Sequence, residues 1–306
     1  MVEFIENVEE EIDPFEQYFE EKIVPLVDAE NKVKDRYRSK FWGYLVTILF
    51  LMSANVLIVL FRTLMQHVPL SWEQLLLVNA VAFMFVFIPI YKYNSLPKND
   101  IFDVFLKFYG DWQHLQNSEV KLVHSPIIPE HDAVRASHNV VSEVGANRIE
   151  MRDTFYTEKN KVVSSGVMLY ITFAGEFGGS LLMFDKNGFY RKNKFPEHEC
   201  YNGKTDIPAA KYFNIFTSDD NIGEKMIHNL FLENLLDLKD VFRARHLYVQ
   251  AQGNNMRVYL EGSELYIDNY KFWSRKVDKN RFRQLHHEFE AVHLFVQTVQ
   301  SLMDEK

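Results

Sequence analysis

Two long apolar runs dominate the first hundred positions of the chain. The first covers residues 41–61, reads FWGYLVTILFLMSANVLIVLF and holds no charged residue. The second covers residues 75–93, reads LLLVNAVAFMFVFIPIYKY and stays apolar until Lys92. A helix rises about 1.5 Å per residue, so about twenty residues cross the roughly 30 Å of bilayer hydrocarbon. The pattern therefore predicts a hairpin of two transmembrane helices.

Basic residues flank these two runs mainly on one side. The connecting loop at 62–74 contains Arg62, whereas the outer flanks hold seven basic residues: Lys32, Lys34, Arg36, Arg38, Lys40, Lys92 and Lys98. Because Lys and Arg accumulate on the cytoplasmic side, both termini are predicted to be cytoplasmic. The cluster at 32–40 has two interpretations: it contacts anionic lipid headgroups, or it acts as a topology signal alone.

Aromatic residues mark the ends of the two predicted spans. Aromatic rings concentrate at membrane–water interfaces, so the sequence predicts an inner belt and an outer Trp72. The predicted inner belt consists of Trp42, Tyr44, Tyr91 and Tyr93. Pro89 is expected to bend the second helix near its inner end.

One asparagine lies in each run at a matching depth. Asn55 follows the midpoint of the first span and Asn79 precedes the midpoint of the second. Both are expected roughly 6–8 Å to the outer side of the bilayer centre. An isolated amide is costly in hydrocarbon, so an Asn55–Asn79 hydrogen bond is predicted to set the register of the hairpin. In the alternatives, each amide bonds its own helix, or the two pair between chains.

The segment at 1–40 is predicted to be an amphipathic helix with an acidic first part. Residues 1–31 contain eleven acidic residues and one basic residue. Asp13 and Pro14 have the order of a helix cap and first turn, and Pro25 is expected to break or kink the helix. Apolar residues recur at helical spacing: Ile5, Val8, Ile12, Phe15, Phe19 and Leu26. The apolar stripe either packs on the protein's own soluble domain or binds a partner or a second copy.

The pattern of residues 94–306 predicts a cytoplasmic α+β domain with a mainly antiparallel sheet and long terminal helices. The pattern contains strands followed by helices without regular βαβ alternation. A helix is expected at 101–115, a helix from Asp219 to about Leu238 with a stripe through Leu230, and a long helix from about Asp278. Residues 134–144 are ambiguous with some helical character. Strands are expected at 147–156, 162–173, 180–184, 213–216, 246–250, 257–260 and 265–267.

Turn residues separate these predicted strands. Gly253 and its two asparagines have hairpin chemistry. The glycines at 175, 178 and 179 are interpreted as a hairpin turn between two strands, since the Lys-Ser/Thr of a phosphate loop is missing.

Few residues form a pattern that suggests chemistry. His286, Glu290 and His293 share one helix face and form a candidate metal set, with a polar outer face as the simpler interpretation. His198, Glu199 and Cys200 are interpreted as a surface loop. Asp219 and its neighbour Asp220 are expected to cap a helix. No cofactor is predicted.

Composition excludes some classes of protein. The chain has 306 residues and a formal net charge of −8. A nucleic-acid-binding protein needs a basic face, so no nucleic-acid partner is predicted. The one cysteine excludes a disulfide within the chain.

Several segments resemble a bacterial family, the domain-of-unknown-function family 3137. The N-terminal match consists of Phe15, Tyr18, Pro25 and Glu30. The fuller match is FNIFTSDDNIGEKMIHNLFLENLLDLKDVF at 213–242, and the hairpin stretch at 243–262 is also similar. Residues 175–184 match loosely, with Gly179 and Ser180 where the family often has a basic residue. The resemblance implies a two-span protein of the bacterial inner membrane and implies no reaction.

These patterns favour a non-enzymatic, membrane-tethered cytoplasmic domain that binds a lipid or protein partner, or a second copy of the chain. An enzyme acting near the membrane, with its site on the concave face of the sheet, is the first alternative. A small transport or channel component is the second. Two spans without a charge inside the membrane disfavour that second alternative unless the chain oligomerises.

Overall fold

The computed structural model describes residues 13–66, 72–96, 101–110, 112–115, 125–188, 199–201, 207–265 and 272–304. The predicted apolar positions Ile5, Val8 and Ile12, and the loop residue His198, lie outside the described residues. The chain divides into two compact units. Unit 1 comprises Met1–Val104 and Asp268–Lys279, and unit 2 comprises Phe105–Ile267 and Asn280–Lys306. The division differs from the predicted segments at 1–40, 41–93 and 94–306, because residues 268–279 belong with the N-terminal part.

Unit 1 is helical. Its first helix runs without interruption from the acidic segment into the first apolar run, over about 80 Å at the usual rise per residue. The elements are α1 (Pro14–Tyr18), a π-helical turn (Phe19–Ile23), α2 (Val24–Gln66), α3 (Trp72–Met84), a 3-10 turn (Phe85–Phe87) and α4 (Ile88–Asn94). The predicted boundary at residue 40 is thus a change of composition inside one helix.

The predicted start of the first helix is confirmed, and of the two outcomes expected at Pro25, a break or a kink, the break does not occur. Asp13 caps α1 by accepting a hydrogen bond from the Phe15 N–H at 2.9 Å, and Pro14 occupies the first turn. Pro25 has no N–H to donate to the preceding turn. The wider π-helical turn at Phe19–Ile23 immediately precedes it, and the helix continues past the proline.

The second apolar run also changes helix type before its proline. A 3-10 turn at Phe85–Phe87 separates α3 from α4, and Pro89 lies in the first turn of α4. The irregularity lies where a bend was predicted, because Pro89 has no N–H for the carbonyl four residues earlier.

Two helices of the described chain are long and apolar enough to cross a bilayer, judged by length and composition. They are Pro14–Met65 and Leu75–Asn94. In their most apolar 18-residue windows, only 6% and 17% of the residues are buried. Their apolar side chains therefore face outward.

In its described residues, unit 2 is built on a nine-stranded sheet whose strand pairs are all antiparallel, so the predicted α+β class is confirmed. The strand order is β1-β2-β3-β4-β9-β8-β5-β7-β6. The strands are β1 (Gln113–His114), β2 (Ala133–Val144), β3 (Asn147–Glu158), β4 (Lys161–Thr172), β5 (Ser180–Asp185), β6 (Glu199–Cys200), β7 (Phe213–Thr217), β8 (His246–Gln252) and β9 (Asn255–Glu261). The helices are α5 (Ile101–Tyr109), α6 (Asp220–Met226), α7 (Asn229–Val241) and α8 (Lys279–Asp304), and a 3-10 turn covers Pro208–Tyr212. The first residues of α5 and of α8 belong to unit 1.

Long-range pairing explains two differences from the predicted elements. Residues 133–144 form β2, because ten of them pair in register with β3. Strand pairing overrides the local helical tendency of these residues. The glycine-rich loop after β4 is not a hairpin turn, because β4 pairs with β9 and β5 pairs with β8. The loop instead bonds the β8–β9 turn, with the Phe177 N–H donating to the Gly253 carbonyl at 2.7 Å.

The helical regions differ from the prediction mainly at their ends. The predicted helix at 101–115 ends at Tyr109. The predicted helix from Asp219 is two helices, α6 and α7, and Leu230 at the start of α7 is 55% exposed rather than buried. The break at 227–228 rotates the second helix away from the continuous stripe. In α8 the predicted stripe is confirmed, since all seven of its residues are buried: Phe282, Leu285, Phe289, Val292, Val296, Val299 and Leu302.

A buried carboxyl on β3 contacts the chain segment that follows β9. Asp153 is 5% exposed, and its Oδ1 accepts a hydrogen bond from the Leu265 N–H at 2.5 Å. Burial raises the pKa of the Asp153 carboxyl to about 7, and the charges of Glu264 and Glu288 act in the same direction. The Leu265 hydrogen bond and the charge of Arg281 oppose this rise.

We expect Asp153 to make the protein less stable as the pH rises. Its folded pKa exceeds its unfolded pKa, so its stabilising effect is complete below about pH 4 and is lost as the pH rises through about 7. Relative to an Asp153→Asn variant, the free energy of unfolding of the wild type should fall by up to about 4 kcal/mol across this window. Asparagine cannot ionise and keeps an oxygen for the Leu265 N–H. Urea unfolding across the window measures the difference, and parallel profiles would contradict the expectation.

Candidate membrane interface

The basic residues before the first apolar run do not all face outward. Lys34 is 1% exposed, and its Nζ donates hydrogen bonds to Ser274 Oγ at 2.6 Å and to the Arg275 carbonyl at 2.8 Å. Arg38 donates to the carbonyls of Phe272, at 3.0 and 3.2 Å, and of Ser274, at 2.5 Å. Lys34 is therefore inaccessible to lipid headgroups, which corrects that interpretation of the cluster at this position.

Helical spacing places a third side chain in the same row. Asn31 donates from Nδ2 to the Val277 carbonyl at 3.0 Å and accepts from the Val277 N–H at 2.9 Å. Asn31, Lys34 and Arg38 lie three and four residues apart, so they share one face of α2. We call these three residues the clamp, because together they hold the backbone of residues 272–277. The clamp satisfies peptide groups that have no strand or helix partner.

The other three basic residues of the cluster are exposed: Lys32, Arg36 and Lys40. Among them, the Lys40 Nζ lies 5.3 Å from the centre of the Tyr37 ring. These three residues remain available for headgroup contact or as a topology signal.

The segment held by the clamp brings an aromatic pair to the start of the first apolar run. The Phe41 ring lies 5.8 Å from the Phe272 ring and 5.1 Å from the Trp273 ring. The ring of its sequence neighbour Trp42 lies 5.5 Å away. Trp42 is 58% exposed and Trp273 is 61% exposed. Two tryptophans from distant parts of the chain therefore flank Phe41 and face outward together.

Sequence reasoning missed Trp273, although the chain contains a signal for it. The tripeptide Lys-Phe-Trp occurs at 40–42, where the first span begins, and again at 271–273. A repeated basic-aromatic tripeptide indicates a second segment with the composition of a membrane–water boundary.

Tyr93 differs from the other predicted belt residues. It is fully buried, and its hydroxyl donates a hydrogen bond to Glu30 Oε1 at 2.8 Å. Its ring lies 5.7 Å from that of Phe272. Tyr93 therefore joins α4 to α2 inside unit 1 and is not an interfacial ring, which corrects the predicted belt. Tyr44 and Tyr91 are exposed as expected, and the side chain of Trp72 lies outside the described residues.

The two asparagines of the apolar runs lie next to each other. The Asn55 Nδ2 is 3.4 Å from Asn79 Oδ1, which is at the long end of hydrogen-bonding distance. The sequences of the two apolar runs contain no other Asn or Gln. The structure thus pairs the two positions that the sequence placed at one depth.

The two histidines of the candidate metal set in unit 2 do not lie on a polar outer face, whereas Glu290 is exposed. His286 is 6% exposed, and its Nδ1 lies 2.5 Å from the Tyr109 hydroxyl. Its Nε2 lies 3.3 Å from Glu290 Oε1. His293 accepts a hydrogen bond from the Trp112 indole at 3.3 Å. Both histidines thus face the aromatic side chains of α5 and of the residues after it, and the described residues contain no group of three ligands suited to a metal.

The remaining candidate positions have structural roles. Asp219 caps α6 through a 2.7 Å hydrogen bond from the Asn221 N–H, as predicted. Glu199 and Cys200 form the edge strand β6 rather than a loop, because they pair with β7. The Cys200 thiol is free and exposed.

Two more buried acids of unit 2, Asp185 and Glu288, form ion pairs at different places. Asp185 contacts the Lys239 Nζ at 2.5 Å and lies 3.8 Å from the His246 Nδ1. Glu288 is paired with Arg281 at 2.5 Å, and burial raises the pKa of the Glu288 carboxyl. Asp185 and Glu288 each have their own basic partner, which is the arrangement of structural ion pairs.

Removing the Lys34 ammonium should release the segment held by the clamp. In Lys34→Met the apolar stem remains, but Ser274 and the Arg275 carbonyl lose their charged donor. Loss of buried charged hydrogen bonds should cost about 1–3 kcal/mol. We expect faster tryptic cleavage after Arg275 than in the wild type. Lys32→Met, at an exposed position, is the matched control, and equal cleavage of both variants would refute a role for the clamp.

The Asn55–Asn79 contact should register as coupling between the two positions. Unfolding in detergent of Asn55→Leu, Asn79→Leu and the double variant forms a double-mutant cycle. We expect a coupling of about 0.5–2 kcal/mol, the range for hydrogen bonds between helices in membranes. Additive effects of the two substitutions would show that the contact does not stabilise the hairpin.

Comparisons with known proteins leave the family open. No protein-family model matches the chain, and no curated protein sequence matches it. Among solved structures, one similar chain is the crystal structure of the mycobacterial trehalose monomycolate transport factor A, TtfA. The alignment covers 62% of this chain and 88% of that chain, with 9% identity and a TM-score of 0.38. That score and that identity do not establish a shared fold.

Proposed function

We propose that the chain is a membrane-anchored protein of the bacterial inner membrane, with both termini in the cytoplasm. In this proposal α2 and the helices at 75–94 cross the bilayer as a hairpin, and unit 2 is a cytoplasmic domain that binds a lipid or protein partner without catalysing a reaction. The observation that carries the proposal is the outward exposure of the two apolar runs. A resemblance to the bacterial family 3137 agrees with this architecture and remains part of the proposal.

Exposure distinguishes a membrane helix from the core helix of a soluble protein. A core helix is equally apolar but is covered by the rest of the protein, whereas these windows are 6% and 17% buried. Soluble monomers rarely expose apolar patches larger than a few hundred square ångströms. A bilayer supplies the apolar surroundings that these side chains lack in water.

The groove between the two apolar runs supports the same conclusion. It has a volume of about 810 Å³ and is lined by residues of α2 and of the second run. Lys40, near its N-terminal end, is the one charged residue among those lining it. Lipid chains match such a surface, with Lys40 at the level of the anionic headgroups.

Polar and aromatic residues at one end of the hairpin support the orientation. The exposed residues Lys32, Arg36 and Lys40 precede the first span, and the outward-facing Trp42 and Trp273 lie at its start. Basic residues favour the cytoplasmic side, and tryptophans favour the headgroup level. This end of the hairpin is therefore assigned to the cytoplasmic interface.

Site-directed labelling tests the anchor and its orientation. In a Cys200→Ser background, single cysteines replace Gln66, at the end of α2, and Gln297, exposed on α8. We expect a membrane-impermeant maleimide to label position 66 in intact cells and position 297 only after the membrane is disrupted. The reverse pattern would overturn the orientation. Labelling of both positions only after disruption would overturn the crossing itself.

A further inference from the structure

One face of the unit 2 sheet carries a row of polar side chains across four neighbouring strands. Glu150 on β3 is paired with Tyr170 on β4, Tyr170 with Arg257 on β9, and Arg257 with Gln250 on β8. Residues in register on adjacent antiparallel strands have Cβ atoms about 5 Å apart on the same face. We call Glu150, Tyr170, Arg257 and Gln250 the polar row.

A second arginine joins the row but already has a partner. Arg152 lies two residues from Glu150 on β3, so it shares the same face, and it forms an ion pair with the Glu150 carboxylate. Its guanidinium lies 5.4 Å from the centre of the Tyr170 ring. The pairing with Arg152 neutralises Glu150, so the charge of Arg257 is left without a carboxylate among the described residues.

Hydrogen-bond donors of the polar row outnumber its acceptors. Within the described residues, the one acceptor in contact with Arg257 is Gln250 Oε1, 3.4 Å from Nη1. That oxygen also accepts from Ser125 Oγ at 2.6 Å. A guanidinium has five N–H donors, so most of those on Arg257 are unused by the described residues.

The Tyr170 hydroxyl is a further donor beside Arg257. It has no hydrogen-bond acceptor in the part of the chain that the structure describes. Burial raises the pKa of the Tyr170 hydroxyl, and the charges of Arg152 and Arg257 act against this rise. The hydroxyl therefore keeps its proton at neutral pH and can donate it to an anion.

We propose that the polar row is a binding site for a phosphate group. The two guanidiniums and one carboxylate leave a net charge of +1 on a half-buried surface, and a partly desolvated cation is stabilised by a bound anion. The planar fork of Arg257 matches two phosphate oxygens, and Tyr170 and the amide of Gln250 each supply a further donor. A phosphate has more acceptor oxygens and more negative charge than a carboxylate, so it is the better match for these donors and for the net positive charge.

The phosphate can belong to a soluble phosphate ester or to a phospholipid headgroup, and both present the same oxygens. The site is formed within unit 2 alone, so it does not depend on membrane anchoring. Arg257 and Tyr170 are the residues whose loss should abolish binding.

The test uses the full chain in detergent, titrated with inorganic phosphate and with glycerol 3-phosphate at constant ionic strength set by chloride. Isothermal titration gives the affinity, and thermal unfolding gives an independent readout. Arg257→Gln removes the guanidinium, and Tyr170→Phe removes the hydroxyl at nearly constant volume. Arg135→Gln is the matched control, because Arg135 is exposed on the neighbouring strand β2.

A second arm identifies a lipid source. The full chain is placed in nanodiscs of phosphatidylglycerol or of phosphatidylglycerol mixed with a large excess of phosphatidylcholine, and hydrogen exchange is followed in β4 and β9. Added soluble glycerol 3-phosphate competes in both. Protection that rises with phosphatidylglycerol and is lost in Arg257→Gln identifies the headgroup as the source.

We expect saturable binding in at least one arm, weakened about tenfold or more by Arg257→Gln and less by Tyr170→Phe, and unchanged in Arg135→Gln. Tyr170→Phe keeps the ring and the fold, so the test does not depend on the stability of the arginine variant. The proposal is overturned if neither arm shows saturable binding. It is also overturned if Arg257→Gln and Arg135→Gln bind with equal affinity.

Discussion

The clamp on α2 is the interaction on which the architecture of unit 1 depends. An ammonium group withdrawn from water is costly unless acceptors surround it, and Lys34 finds them in Ser274 and the Arg275 carbonyl. These acceptors lie about 240 residues further along the chain. The same contacts carry Phe272 and Trp273 to Phe41, where the polar part of the helix meets the apolar run.

In each unit, several polar groups in apolar surroundings have a polar partner from the same unit. Glu30 accepts from Tyr93, Asn55 lies beside Asn79, and Asp153 accepts from the Leu265 N–H. Such pairs stabilise the fold and leave no capacity for a ligand. Arg257 differs, because its donors exceed the acceptors that the described residues offer. An anion binds where hydrogen-bond donors outnumber acceptors in this way.

Much of the fold follows from local patterns. Period and capping chemistry predicted the start of α1 at Asp13, the hairpin at Gly253 and the buried stripe of α8, since each depends on residues close together in the chain. The local pattern at 134–144 was ambiguous and the glycine loop after β4 was predicted wrongly, because the structure of both depends on strands far away in sequence. At the candidate membrane interface, the lengths of the two spans predicted that Asn55 and Asn79 lie at the same depth in the bilayer. The burial of Lys34 was not predicted, since its acceptors lie about 240 residues away in the chain and no local pattern pairs the two segments.

The sequence by itself determined the two apolar helices, their basic flanks and the α+β class, because apolar length, charge and hydrophobic period are properties of adjacent residues. Tertiary structure alone decided which basic residues face outward, that Tyr93 is buried, and that His286 and His293 face aromatic rings. It also decided that Tyr170 and Arg257 are neighbours, since strand order joins β4 to β9 across more than eighty residues. The physical reason is that burial and partner choice depend on what the rest of the chain brings to a side chain.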